Sequence, residues 1–424
     1  MIGRRDPSLS GNGRSGSTFS WGLFDQGISS LTNLALSVVA GRMLGPAGLG
    51  VVFLGFSFYL IMLSLQRSLV CQPLVVTSAV LSDGKKREAT GQALTSTLIL
   101  GALGTLAMAL IGWAFPGIGA GMLFFALWIV PALVQEYWRS VLFRDERGAA
   151  ATVNELVWLL VMFGTLPIAI SIRTSWAIIA AWGAGALAAA LLGFMQTNIK
   201  PASGTRSWRW WMQDGWPSGR WLALEATLFN LATRGVVFIL PAFLSTSAVG
   251  GLRAAQSIFA PLSLLVPAMA LPGLPAMVRN LHISMHSARR LASRVSLTLA
   301  AVTFVYVVVL GFAGELVLPF VFGSAFRGYE SLLAPVGAEQ LILAASTGYV
   351  LLLRASLAAK LLVWARLGLC LASFVLVALF ASYAGLDGAA WGLAIGSLAG
   401  TLAVWGLARS LPELSAASDP RALS

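Results

Sequence analysis

The sequence predicts an all-α, polytopic membrane protein of about twelve transmembrane helices. Three observations predict it. Of 424 residues, 58% are hydrophobic and only 10% charged, against roughly 25% charged in an ordinary soluble protein. The apolar residues gather in long runs, and about 20 of them cross the hydrocarbon core as a helix. The basic residues gather between those runs, on alternate sides. A soluble core stops growing near ~250–300 residues and cannot absorb this much apolar surface, whereas lipid can. The mean hydropathy of +0.83 agrees.

In chain order the runs lie near 19–43, 49–79, 92–115, 121–143, 151–172, 175–197, 221–244, 249–278, 295–318, 335–353, 361–384 and 388–408. The second and eighth are long. Pro73 predicts a kink in the second, and Pro261, Pro267, Pro272 and Pro275 predict one in the eighth. The chain then divides into an N-terminal tail (1–18), a first six-helix bundle (19–197), an interfacial linker (198–220), a second six-helix bundle (221–408) and a C-terminal tail (409–424). The polar N-terminal stretch has no short apolar segment with a cleavage site, so a cleaved signal peptide is not expected.

The net charge of +12 resides mainly in short clusters between runs, as topology signals do, and not in a stripe for nucleic acid. With the N-terminus in the cytoplasm, Arg42, Arg173 and Arg327 are the only basic residues on the outer side. Of the other 25 Lys and Arg, four (Arg67, Arg139, Arg234 and Arg253) lie deep in runs and twenty-one fall in inner segments, their flanking turns or the adjoining run ends, among them Arg4, Arg5, Arg14, Lys85, Arg289, Arg354, Arg366 and Arg421. That bias predicts an even number of spans with both termini cytoplasmic. The linker reads Ser-Trp-Arg-Trp-Trp-Met-Gln-Asp-Gly-Trp-Pro from Ser207. Tryptophan beside arginine suits the headgroup level, as a plain anchor between halves or as a contact for lipid headgroups.

A shift of 200 residues places Asp25 on Glu225, Leu31 on Leu231, Gly50 on Gly250 and Ser57 on Ser257. Such an internal repeat implies two related halves, and transporters commonly place the substrate path between halves.

Nine ionisable residues are candidates for deep positions within runs: Asp25, Arg67, Glu136, Arg139, Glu155, Glu225, Arg234, Arg253 and Glu339. Each costs about 2.5–3.5 kcal/mol to insert, so such groups face a cavity or a partner. Glu136 and Arg139, three apart, pair on one helix face. Glu155 and Arg253 lie near run ends and are expected to snorkel. Arg67 and Arg234 lie deeper with no acid at helical spacing, which points to a cavity role. Asp25, Glu225, Glu136, Glu155 and Glu339 are candidates for holding a coupling ion, or for compensating arginine. Cys71 and Cys370 read as buried small residues. His282 and His286 stand four apart without an intervening Glu or a third ligand, so no metal is expected. A phosphate-binding Gly-rich loop with Lys-Ser/Thr and an Asp-x-Asp pair are both missing, so neither ATP hydrolysis by that device nor glycosyl transfer is expected. No cofactor is expected, and the reading is of a non-enzyme.

Three segments carry a resemblance. Gly41-Arg42-Met43-Leu44-Gly45-Pro46-Ala47-Gly48-Leu49-Gly50 resembles the Ala-Arg-x-Leu-Gly-Pro-x-x-Phe-Gly turn of polysaccharide transport, Wzx-type, flippases, with Gly41 for Ala and Leu49 for the aromatic. These belong to the multidrug/oligosaccharidyl-lipid/polysaccharide (MOP, MATE-like) exporter superfamily. The segment from Leu318 to Phe326 resembles the family's exterior Phe-Gly-x-x-Tyr stretch, with Phe326 for Tyr, and Gly388-Ala389-Ala390-Trp391-Gly392 its Gly-Ala-Ala helix start. The likeness spans about 18–408.

The resemblance implies two six-helix bundles around a central cavity, in a bacterial inner (cytoplasmic) membrane. It implies flipping of a polyprenyl-pyrophosphate-linked oligosaccharide from the inner to the outer leaflet, for cell-surface polysaccharide synthesis. Partners are then the lipid-linked glycan, membrane lipids, and a polysaccharide polymerase or glycosyltransferases; nucleic acid is not among them. On this reading Arg67, Arg234, Arg139 and Arg253 line the substrate cavity, where a guanidinium fork suits pyrophosphate. Trp21, Asn33, Asn230 and Trp138 are candidates for the sugar. Two alternatives stand beside it. A MATE-like ion-coupled efflux pump calls for an acidic, aromatic cavity, which four buried arginines disfavour. A membrane-embedded glycan ligase or polymerase calls for large exterior loops, which the run spacing does not leave.

Overall fold

The computed structural model describes residues 11–79, 81–356 and 359–411. Residues 1–10 of the expected N-terminal tail, with Arg4 and Arg5, and residues 412–424 of the C-terminal tail, with Arg421, lie outside the described residues, as do the side chains of Arg14, Pro267 and Pro272.

Every regular element among the described residues is helical. The first, α1 (Gly11–Gln66), has 56 residues. At 1.5 Å per residue that is about 84 Å, far more than one bilayer crossing. It breaks at Gly45, whose φ of 67° and ψ of −169° belong to a region that glycine alone enters freely, and Pro46 follows. The Leu-Gly-Pro turn therefore converts one long helix into two spans. The 52-residue α15 (Ala359–Ser410) does the same at Ala384 and Gly385, the latter with φ 59°.

Between these lie a π-helical turn (Arg67–Cys71), α2 (Gln72–Ser78), α3 (Asp83–Ala114), α4 (Pro116–Ala126), α5 (Ile129–Arg144), α6 (Gly148–Ile172) and α7 (Ser175–Thr197). Helices α4 and α5 meet at a 51° bend. The linker holds α8 (Gly204–Trp210) and a second π-turn (Trp211–Gly215). Then come α9 (Trp216–Arg234), α10 (Leu240–Phe243), α11 (Thr246–Ile258), α12 (Leu265–Ile283), α13 (Met285–Phe322) and α14 (Leu333–Ala355). Short 3-10 turns interrupt this half, and Pro261 sits in the one between α11 and α12. Among the described residues, eight helices are long and apolar enough to cross a membrane, nine with the bent α4–α5 pair. Doubling α1 and α15 at their breaks, and counting the proline-broken α11–α12 segment, brings the spans to twelve. Helix ends follow ordinary rules: Ser245 and Ser284 cap α11 and α13 by accepting from Ala248 N and Ser287 N, and Asn198 ends α7 in the left-handed region. Several helices run past the apolar runs that predict them; α13 begins ten residues earlier than its run, at Met285.

Large apolar side chains face outward along these helices, Phe312 at 91% exposed and Trp113 at 81%. A protein in water would not expose such stripes, but a bilayer covers them.

The chain divides into two compact units. Unit 1 comprises 11–36, 66–107 and 124–219; unit 2 comprises 37–65, 108–123 and 220–411. In unit 1 the core is aromatic: Trp138 and Trp158 pack on Gly193 and Gly185 of α7, and Trp158 Nε1 donates to the Trp182 carbonyl at 3.0 Å. At one end of unit 1, Lys86 and Arg144 meet Asp145 at 3.2 and 2.9 Å. Burial pushes the Asp145 carboxyl up, but the Arg144 and Lys86 contacts outweigh it and hold it below the usual carboxylate range. In unit 2 the first arm of the repeat meets the second. A Cβ on Gly50 would strike the Thr246 carbonyl, and one on Gly250 the Pro46 carbonyl. Positions 46 and 50 thus contact 250 and 246 reciprocally, the signature of a local two-fold between segments related by the 200-residue shift.

Candidate functional site

The nine candidate ionisable residues gather in clusters, and each cluster lies within one unit. In unit 1 the chain brings Arg67, Glu136, Arg139, Asp25 and Glu155 together. Arg67 opens the first π-turn, where Gln72 N–H bonds to the Arg67 carbonyl five residues back. Such one-turn π insertions often mark functional sites. Gln66 beside it is buried and donates to the Leu133 carbonyl at 2.6 Å, fixing the turn against α5. Arg67 Nε then reaches Glu136 Oε1 at 2.7 Å. Arg139, one turn along α5, lies 3.5 Å from Glu136 Oε2 and 3.4 Å from Asp25 Oδ2. The other Asp25 oxygen is buried without a hydrogen-bond partner among the described residues.

Glu155 does not snorkel. It is 2% exposed and accepts from Gln135 Nε2 at 2.9 Å, while the same amide reaches Asn154 Oδ1 at 3.2 Å. Two carboxylates, Glu136 and Asp25, therefore share two arginines, and a third, Glu155, is buried in the same unit on an amide. The amides leave a signal in the sequence: Gln66-Arg67, Gln135-Glu136 and Asn154-Glu155 are adjacent polar pairs inside apolar runs. Arg67's partner was not legible, because Glu136 stands 69 residues away.

Unit 2 holds two clusters. Glu225 on α9, 2% exposed, receives Arg354 Nη2 at 2.7 Å and Arg366 Nε at 3.1 Å. The Arg366 guanidinium also lies 4.2 Å over the Phe229 ring. Sequence reasoning placed both arginines among the topological cations of inner flanks. For Arg366 a signal existed, since it lies five residues inside the run 361–384. The second cluster is Arg253, Arg234 and Glu339. Arg253 does not snorkel either: it donates to Ser37 Oγ at 3.1 Å and lies 4.5 Å over Phe53. Glu339 is 2% exposed, its Oε2 without a partner among the described residues, and is the acid near Arg234. Neither Arg234 nor Arg253 has a carboxylate within ion-pair distance among the described residues.

The sugar candidates separate. Trp138 is fully buried in the unit 1 core against Tyr137 and Phe194, so it packs and is closed to a ligand. Trp21 rests on Gly148 with 38% exposure, and Asn230 donates to Ser64 Oγ at 3.2 Å. Cys71 and Cys370 are free and buried. No group of three or more His, Cys, Asp or Glu side chains among the described residues is arranged for a metal ion.

The motif segments prove to be packing devices. Arg42 donates to the Val321 and Phe320 carbonyls at 2.7 and 2.5 Å, and Gly41 lies under Phe322 and Phe326, so the first two segments lock together at the end of α13. Gly388 and Gly392 press against the Phe380 and Leu376 carbonyls of the opposite arm of α15.

No protein-family model matches the sequence, and no curated protein matches it significantly. Solved structures do share its architecture. A lipid II flippase, MurJ, in an inward closed conformation superposes with a TM-score of 0.70 at 13% identity, covering 93% of this chain and 88% of that one. A multidrug resistance MATE family transporter of the MOP superfamily, inward-facing, gives 0.71 at 12% identity over 90% and 93%. A MOP superfamily transporter from Pyrococcus furiosus, described by the reverse polarity of its binding pocket, gives 0.63 at 14% over 92% and 93%. These neighbours are a flippase and transporters rather than enzymes. Over its described residues the chain is all-helical and shares the fold of these transporter structures, with apolar helices long enough for several membrane passes.

Proposed function

We propose that the chain is a Wzx-type secondary transporter that flips a polyprenyl-pyrophosphate-linked oligosaccharide, or a related lipid-linked glycan, from the inner to the outer leaflet of a bacterial inner membrane. The observation that carries this reading is the surplus of arginine over carboxylate in unit 2: Arg234 and Arg253 against Glu339, and Arg354 and Arg366 against Glu225. A pyrophosphate cannot cross hydrocarbon bare, and guanidinium groups bind its oxygens as a planar fork while staying charged. Arg253, cushioned by Phe53 and Ser37 and not neutralised by an acid, is held ready for such an anion. In unit 1, Arg67 and Arg139 meet the substrate only by exchanging a carboxylate for a phosphate. The lipid tail stays in the bilayer throughout. The two six-helix bundles, the cytoplasmic termini and a supply of substrate by glycosyltransferases and its use by a polymerase belong to the same proposal.

The test is flipping of a fluorescent polyprenyl-pyrophosphate sugar in proteoliposomes, normalised to inserted protein. Arg234→Ala with Arg67→Ala should reduce the rate at least about a hundredfold, the equivalent of two charge-assisted contacts at ~1.5 kcal/mol each. Lysine at both sites should restore part of it, because charge remains and the fork is lost. Full activity of the double alanine variant would overturn the reading. The second reading is MATE-like ion-coupled efflux, and the three carboxylates of unit 1 favour it. Proton-driven loss of a small organic cation from the same vesicles, without glycan flipping, would select it.

A further inference from the structure

The linker segment presents two different faces. Its inner face is bound to unit 1. Ser207 Oγ donates to the Gln92 carbonyl at 2.5 Å and lies 2.8 Å from Ser96 Oγ, Ala202 N–H donates to the Gly91 carbonyl at 3.1 Å, and Trp210 is 5% exposed. Its outer face is bare. Thr205, Trp208, Arg209, Met212 and Gln213 recur at helical spacing and line a shallow groove of about 540 Å³. Trp208 is 61% exposed and Met212 46%. The Trp208, Trp211 and Trp216 rings follow one another at 5.4 Å, leading to the apolar span that begins at Gly219.

Charge complements this face. From 198 to 216 the exposed cations are Lys200, Arg206 and Arg209, and the single acid is Asp214. A plain apolar anchor has no need of paired arginines, and a solvated loop has no need of bare tryptophan. Indole rings settle where hydrocarbon meets headgroup, and basic side chains beside them reach anionic headgroups. We infer that the 204–213 face binds an anionic phospholipid of the surrounding leaflet, its phosphodiester on Arg206 and Arg209 and its acyl boundary against Trp208 and Met212. The fixed inner face holds the site in register with unit 1.

The probe is brominated phosphatidylglycerol. The full chain carries an environment-sensitive fluorophore at Gln213→Cys, with Cys71 and Cys370 buried and unlabelled, in nanodiscs of phosphatidylcholine. Brominated phosphatidylglycerol should quench with about thirtyfold higher apparent affinity than brominated phosphatidylcholine, as two basic side chains near an anionic surface provide. Arg206→Gln with Arg209→Gln should erase that preference, and lysine at both sites should restore most of it. These side chains are exposed, so the thermal midpoint should not move. Equal quenching by the two lipids would overturn the inference and leave a non-selective anchor. Relief of quenching by polyprenyl pyrophosphate far below the concentration of unlabelled phosphatidylglycerol needed would also overturn it, assigning the face to a lipid-linked carrier.

Discussion

Glu225 holds two arginines by itself, one of them nearly sealed from solvent. A buried ion pair adds little over a well-packed apolar substitute, but removing one partner strands the other. Glu225→Gln preserves shape and removes charge, leaving Arg366 with the Phe229 ring and a neutral amide. The expected cost is about 3–5 kcal/mol, read as a lowered unfolding midpoint in detergent. Arg366→Met, which takes out the deep cation instead, should cost markedly less, because Glu225 keeps Arg354. Equal stability of wild type and Glu225→Gln would show that the triad contributes nothing to folding and free Glu225 for a role in ion coupling. The equivalent position under the 200-residue shift, Asp25, is also arginine-paired, by Arg139 at 3.4 Å. Both halves thus set a carboxylate on their leading helix against arginine from a later one.

At the scale of elements, the two π-turns of unit 1 touch. Gly215 lies 3.1 Å, measured from an ideal Cβ, from the Leu69 carbonyl, and Gly219 is pressed against the Ser68 carbonyl. Ser68 and Leu69 belong to the turn that presents Arg67 to Glu136. The linker therefore bears on the charged cluster through backbone contact, with no side chain between. Gly219→Ala forces that contact apart. Overpacking of this kind costs typically ~1–3 kcal/mol, and here the displacement falls on Arg67. The expected result is a lower thermal midpoint together with slowed transport. Unchanged values of both would mean the contact relays nothing. Neither π-turn was legible, because apolar periodicity does not distinguish a five-residue turn from a four-residue one. The helices were, since lipid demands long apolar runs and breaks fall at Gly-Pro and Gly-x-Asp-Gly. The motif segments were legible too, but Arg42, Gly41 and Gly388 pack helices, so they report the fold and stay silent on substrate. The site was half legible: single ionisable residues stand out in apolar runs, whereas pairs such as Arg67–Glu136 depend on tertiary packing.

For the whole molecule the twelve-span count has a consequence that a labelling reagent reads directly. Lys85 follows the second span and Ser203 the sixth, so both lie on one side; Gly117 follows the third and Ser245 the seventh, so both lie on the other. All four positions are exposed. The weakest link is the α4–α5 pair, bent by 51°. Such a bend suits a broken span, and it equally suits a re-entrant loop that returns to its own side. The basic clusters favour a span, because Arg144 and Arg147 then join Lys85, Lys86 and Arg87 on one face, as the Lys86–Asp145–Arg144 contacts require. Single cysteines at Lys85, Gly117, Ser203 and Ser245 should accordingly label in two classes with a membrane-impermeant maleimide on whole cells. Gly117 and Ser245 should react, and Lys85 and Ser203 should react only after permeabilisation. Reaction of Ser203 in intact cells, with Gly117 and without Lys85, would reduce the pair to a re-entrant loop. It would also reverse every later segment, placing the arginines from Arg279 to Arg294 outside against the charge rule.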